Sequence, residues 1–247
     1  MRSLIFAVTG LLVLIGLSLP SCRHELVLPL VTDPIDTVPP PPIDSGDYTG
    51  TPCSPDTVYF QNQVLPILIS QCAKSGCHDV ASHEEGVVLV DYQRVMSTGE
   101  VKAFKPSNSE LYEVLFKSDP DERMPPAPNA PLSADQKNLI KKWIEQGALN
   151  NVCNENYGGC STDNVTYTNF VSALLSNQCT GCHSGANPSG NLKLTTYDEA
   201  KASALSGKLY GSVAHLQGYV AMPQGGQALS PCFVKKIKAW TDAGMPQ

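Results

Sequence analysis

One pattern of cysteine and histidine occurs twice in this 247-residue chain, about a hundred residues apart. The first copy reads Cys72-Ala73-Lys74-Ser75-Gly76-Cys77-His78 and the second Cys179-Thr180-Gly181-Cys182-His183, shorter by two residues between the cysteines. The sequences around them align as well. Cys53 and Cys160 each stand nineteen residues before the motif. Gly86-Val-Val-Leu-Val-Asp-Tyr92 matches Asn191-Leu-Lys-Leu-Thr-Thr-Tyr197, and Leu111-Tyr112 matches Leu209-Tyr210. Met124-Pro125 and Met222-Pro223 follow thirteen residues after those pairs, and each copy closes on a tryptophan segment, Leu139–Trp143 and Lys236–Trp240. A repeat of this length is a duplicated domain; solenoid units are much shorter.

Local patterning predicts helices joined by long loops. Phe60, Val64, Ile67 and Leu68 match Tyr167, Val171, Leu174 and Leu175, and both sets fall at i, i+4, i+7 and i+8. That spacing makes one apolar helix face leading into the motif. Pro66 should kink or tighten the first of these helices, and Asp56 and Asp163 stand where helix caps are expected. Leu132-Ser133 and Leu229-Ser230 precede closing helices with Ile140, Trp143 and Ile144, or Ile237 and Trp240, on the inner side. The expected fold class is all-α.

The motifs carry specific chemistry. Cys-x-x-Cys-His is the attachment sequence for covalent haem: both sulfurs form thioethers and the histidine beneath coordinates iron. Cys179, Cys182 and His183 fit this spacing, and Cys72, Cys77 and His78 form a widened version of it. The alternatives are a disulfide, a thioredoxin-like dithiol, half a zinc site, or, for the first motif, an empty degenerate site. A dithiol would want a βαβ context, and a zinc site would need both ligand pairs within one fold. Met124 and Met222, at matching places in polar loops, are the expected distal ligands; a soft, neutral thioether favours ferrous iron and raises the potential. His215 is the rival in the second copy, but its counterpart is Lys117. Met245 falls beyond the last helix, where packing is expected, and neither His24 nor His83 has a counterpart.

The N-terminus reads as an export signal over residues 1–21: Arg2, then an apolar stretch from Leu4 to Leu19, shorter than a comfortable membrane span. Leu19-Pro20-Ser21-Cys22 is similar to a bacterial lipoprotein box with Cys22 acylated, Pro20 being an imperfect fit that leaves unacylated secretion open. Residues 22–52, rich in Pro and Asp with the run Pro39–Pro42, read as a disordered tether. The remaining segments are 53–151 and 152–247. Formal net charge is −6, with no basic patch of the kind that nucleic acid selects. Cys53, Cys153, Cys160 and Cys232 make an even set in an exported chain. The pairs Cys53–Cys153 and Cys160–Cys232 would each close one repeat, and Cys153–Cys160 is the local alternative.

The chain resembles tandem cytochrome c-like domains of bacterial exported lipoproteins. The residues that carry the resemblance are Val64–Leu68, Cys72…Cys77-His78, Gly86–Tyr92, Arg123-Met-Pro-Pro126 and Ile140–Ala148, then Cys179…His183, Leu192-Lys-Leu194, Ala221-Met-Pro223 and Ile237–Gly244. The resemblance implies two class I cytochrome c folds in tandem, with crossing helices in contact at Phe60–Trp143 and Tyr167–Trp240. It also implies two covalent haem c groups, redox partner proteins, and a periplasmic or cell-surface location with a lipid anchor to a bacterial membrane. The function expected is electron transfer without catalysis. The alternatives are a di-haem peroxidase with one open haem, or a redox-inert surface binding module.

Overall fold

Phe60, Val64, Ile67 and Leu68 are at most 1% exposed, as one shared helix face requires. The computed structural model describes residues 50–224 and 228–247, all within one compact unit. The expected signal (1–21), Cys22 and most of the tether lie outside the described residues. Among those described, the protein is mostly helical, and its single isolated β-bridge joins Pro52 to Asn154. No helix among them is long and apolar enough to cross a membrane.

Each repeat opens with a π-helical turn, Phe60–Val64 or Tyr167–Val171, which passes directly into α1 (Leu65–Gln71) or α5 (Ser172–Gln178). Pro66 sits in the first turn of α1, but Ala173 holds that place in α5 and the same π turn forms. The wider turn is therefore not made by the proline. Nor do the aspartates cap these helices. Tyr59 and Thr166 are the cap residues, and Thr166 forms a reciprocal capping box with Asn169. Asp56 and Asp163 instead lie in exposed turns, their amides bonded to Ser54 and Ser161 hydroxyls. Helix periodicity locates a face well, whereas a cap depends on where the chain enters the helix.

The middle of each repeat holds short helices: α2 (Tyr92–Thr98) and α3 (Glu110–Glu113) in the first, α6 (Tyr197–Leu205) and α7 (Lys208–Val213) in the second. The closing helices are α4 (Ala134–Glu145) and α8 (Pro231–Asp242), capped by Ser133 and Ser230. Trp143 and Trp240 are fully buried. Trp143 lies 5.1 Å from the Phe60 ring, and Trp240 lies 6.4 Å from Tyr167. Both closing helices end in two residues of left-handed backbone, Gly147-Ala148 and Gly244-Met245. This folds the chain back, so that each indole N–H donates to a carbonyl beyond the helix, Leu149 O at 2.9 Å and Pro246 O at 2.8 Å. Tyr92 and Tyr197 hydroxyls donate to Ala148 O and Met245 O from the other side. Met245 is itself packed into the second core.

Two hydrophobic clusters result, one around Phe60, Leu68, Ile140 and Trp143, the other around Val171, Leu175, Ile237 and Trp240. Two disulfides join Cys53 to Cys153 and Cys160 to Cys232, and the local Cys153–Cys160 pairing is not formed. They close loops with separations of 100 and 72 residues, for which chain entropy predicts about 4–5 kcal/mol each.

The clusters meet where α1 packs on α5. Ser70 Oγ donates to Asn177 O at 2.7 Å, and Gln136 Nε2 to Ser176 O at 2.9 Å. Gly181 lies so close that a Cβ there would fall 1.8 Å from Ser70 O. Only glycine lets the second motif's backbone reach α1.

Candidate haem sites

Each motif begins on the last residue-turn of its helix. Cys72 N–H closes α1 by donating to Leu68 O, and Cys179 N–H closes α5 by donating to Leu175 O, both at 2.9 Å. In the short motif, Cys182 and His183 amides then both donate to Cys179 O, at 3.1 and 3.0 Å. The wide motif reaches a matching end by a longer route. Cys77 N–H turns back onto Lys74 O at 2.9 Å, and His78 N–H donates to Cys72 O at 3.2 Å. In both copies, therefore, the histidine amide is tied to the carbonyl of the motif's first cysteine. The two extra residues bulge outward: Ser75 and Gly76 are exposed, Gly76 has φ 82°, and its N–H is held by Ser82 Oγ at 2.7 Å.

The chain leaving each histidine is anchored alike. Glu84 N–H donates to Cys77 O and Leu89 N–H to His78 O; Ser189 N–H donates to Cys182 O and Leu194 N–H to His183 O. The imidazoles differ. His183 is 9% exposed, and its Nδ1 faces Ser189 O at 3.1 Å and Leu192 O at 3.2 Å. With the proton on Nδ1, that contact leaves the Nε2 lone pair for a metal. His78 Nδ1 is buried without a hydrogen-bond partner.

Cys72, Cys77, Cys179 and Cys182 lie outside both disulfides. Burial pushes the Cys72 and Cys179 thiols up to about 12, with Lys74 pulling Cys72 partly back. Among the described residues, no three His, Cys, Asp or Glu side chains gather as a metal site would require.

Met124 and Met222 are placed by equivalent bonds. Met124 N–H donates to Val114 O at 2.9 Å, just past α3, and Met222 N–H donates to Ser212 O at 3.1 Å on α7. Both side chains are half-buried, and both Met–Pro bonds are cis. His215, the rival ligand, has Nε2 2.9 Å from Met222 O. It braces the methionine loop from behind, a role its sequence position gave no sign of. Lys117, at the matching place, pairs with Glu122 at 3.8 Å. Arg123, next to Met124, has a buried Nε without a hydrogen-bond partner, a donor suited to a carboxylate.

These features fit haem. Each repeat offers two thiols and an imidazole on one tied loop and a thioether on another, and the first adds a donor for a porphyrin carboxylate. Two concavities among the described residues lie apart from these groups. One of about 530 Å³ is lined by Leu192, Lys193, Ser203 and Lys208, and one of about 230 Å³ lies between Gln71, Gln136, Ser176 and Thr180. Neither is lined by a candidate haem residue.

No curated protein and no solved structure matches the chain. Residues 75–128, the stretch that holds Cys77, His78 and Met124, match the family described as Planctomycete cytochrome C, which points to covalent haem and haem-based electron transfer.

Proposed function

We propose that this protein is a di-haem c-type electron carrier, one haem in each of two class I cytochrome c-like repeats. The observation that supports it most is the pair of equivalent motif backbones, in which His78 and His183 amides return to Cys72 and Cys179 carbonyls despite different loop lengths. Cys72 and Cys77, and Cys179 and Cys182, would form the thioethers. His78 with Met124 and His183 with Met222 would hold the iron. Bound haem would supply one-electron chemistry between ferric and ferrous iron. The chain's own part would be to give each iron one imidazole and one thioether, which would leave no open position for peroxide. Thioether ligands would bias the couple towards the reduced form. One disulfide and one buried indole brace each repeat, which would keep reorganisation on electron exchange small.

The N-terminal sequence supports export and a lipid anchor at Cys22. About thirty residues of Pro-rich tether, at about 3.1 Å each when extended, would carry the repeats several tens of ångströms from a bacterial membrane to meet redox partner proteins. Intact mass and the reduced absorption spectrum of protein exported from a host with cytochrome c maturation test this reading. Two covalent haems with low-spin His/Met spectra are expected. Haem-free protein would overturn it, and a five-coordinate, high-spin signal would favour the peroxidase alternative.

A further inference from the structure

The first motif's longer spacer has a consequence that lies in the second repeat. Lys74, inside that spacer, is half-buried, and its ammonium makes two hydrogen bonds to distant parts of the chain. One goes to Gly181 O at 3.1 Å, between the two cysteines of the second motif. The other goes to Asn129 Oδ1 at 2.7 Å. Asn129 belongs to the loop that follows Met124-Pro125 and is folded onto it, its backbone and side-chain nitrogens both donating to Pro126 O. The carbonyl of Lys74 meanwhile holds Cys77 N–H at 2.9 Å. One residue thus ties together both cysteine motifs and the first methionine loop.

The surroundings keep the ammonium there. Gly181 lies against Ser70 with no room for a side chain between them. Gln71 Nε2 bridges to Ser176 O at 3.3 Å and Thr180 Oγ1 at 3.4 Å, which fixes the rest of the second motif. The two-residue spacer of the second motif has no lysine to return the contact.

We propose that Lys74 is the coupling residue between the two redox sites, a positive charge carried by the first motif that positions the second attachment loop and raises its reduction potential. This rests on the di-haem reading above. A fixed cation beside a redox centre favours the state with less positive charge, the ferrous one. The same charge is felt at the first motif, where it opposes the effect of burial on the Cys72 thiol.

The test uses the full exported chain as wild type, K74M and K74R, with intact mass to count haems. Spectroelectrochemical titration reads the potentials, and hydrogen exchange across residues 126–130 and 176–183 reads the clamp without reference to haem. In K74M the second site's potential should fall and exchange in both segments should quicken. K74R, which keeps charge and donors, should stay close to wild type in both. Unchanged second-site potential in K74M with both haems present would overturn the proposal, as would unchanged exchange. Wild-type protein without haem would instead sink the electron-carrier reading, while the exchange measurement still decides the clamp.

Discussion

The first Cys…Cys-His loop is two residues longer than the second, yet the backbone on either side of both is tied by the same bonds. Before the loop, a helix ends on the first cysteine. After it, the histidine carbonyl accepts from a leucine amide, Leu89 or Leu194. What differs between the repeats is therefore mostly outside these backbone bonds. It lies in the bulge at Ser75-Gly76, the reach of Lys74, and the His215 brace behind Met222, and, at the imidazoles, in the contacts that His183 makes. An insertion can be accommodated where the chain is free to bulge into solvent, while the histidine stays tied to a helix end. Loop length is thus a poor guide to whether the first site can hold its group. The bonds flanking the loop are the better one.

The comparison breaks most visibly in haem count. Replacing Cys72 and Cys77 together by serine should lower the intact mass by one haem, and replacing Cys179 and Cys182 should do the same. A first-motif variant with wild-type mass would show the wide site to be empty already. Stability comes next. Trp143→Ala and Trp240→Ala each remove a fully buried indole, and each should cost about 3–5 kcal/mol in denaturant unfolding. A much smaller cost for one would mean that its repeat leans on the other for stability.

Alkaline pH separates loaded from haem-free protein. In the haem-free chain, burial holds the Cys72 and Cys179 thiols protonated up to about 12, whereas exposed thiols ionise near 9.0. Between those values the unfolded chain binds fewer protons than the folded one, so stability falls as pH rises. Thioethers do not titrate, so attachment should abolish this loss. Unfolding curves from pH 8 to 11 of haem-free and loaded protein would reveal it, and equal slopes would contradict it.

The smallest effect contrasts two glycines. Gly181→Ala must push the second motif off Ser70, at a cost of about 1–3 kcal/mol. Gly76→Ala meets no neighbouring atom and bears only the strain of its positive φ, about 1 kcal/mol. Chemical denaturation of the two variants ranks them, and a costlier Gly76→Ala would show that the bulge is packed.

The pairing of equivalent positions in the two repeats was legible in the sequence. The repeat register set Met124 against Met222 and Trp143 against Trp240, because matched offsets in two copies constrain each other. It could not show that Thr166 would cap its helix in place of Asp163, since a cap depends on a chain direction that spacing does not encode. Nor could it show His215 bonded to the Met222 carbonyl, or Arg123 Nε buried beside Met124. Those contacts depend on how loops without periodicity fold back.

Sequence alone determined the elements whose causes are local: the apolar helix faces, the serines at the starts of α4 and α8, and the Cys…Cys-His order that brings two sulfurs and an imidazole onto one loop. Tertiary structure decided what joins distant residues. It set the π turns, which form with or without a proline, and the disulfide partners, which even counts leave open. It also set the contact of Lys74 with Gly181, 107 positions away. The physical reason is that helix faces and attachment motifs arise from bonds within a few residues. A lysine's partner is settled only when two cores have packed and brought one motif's carbonyl within reach.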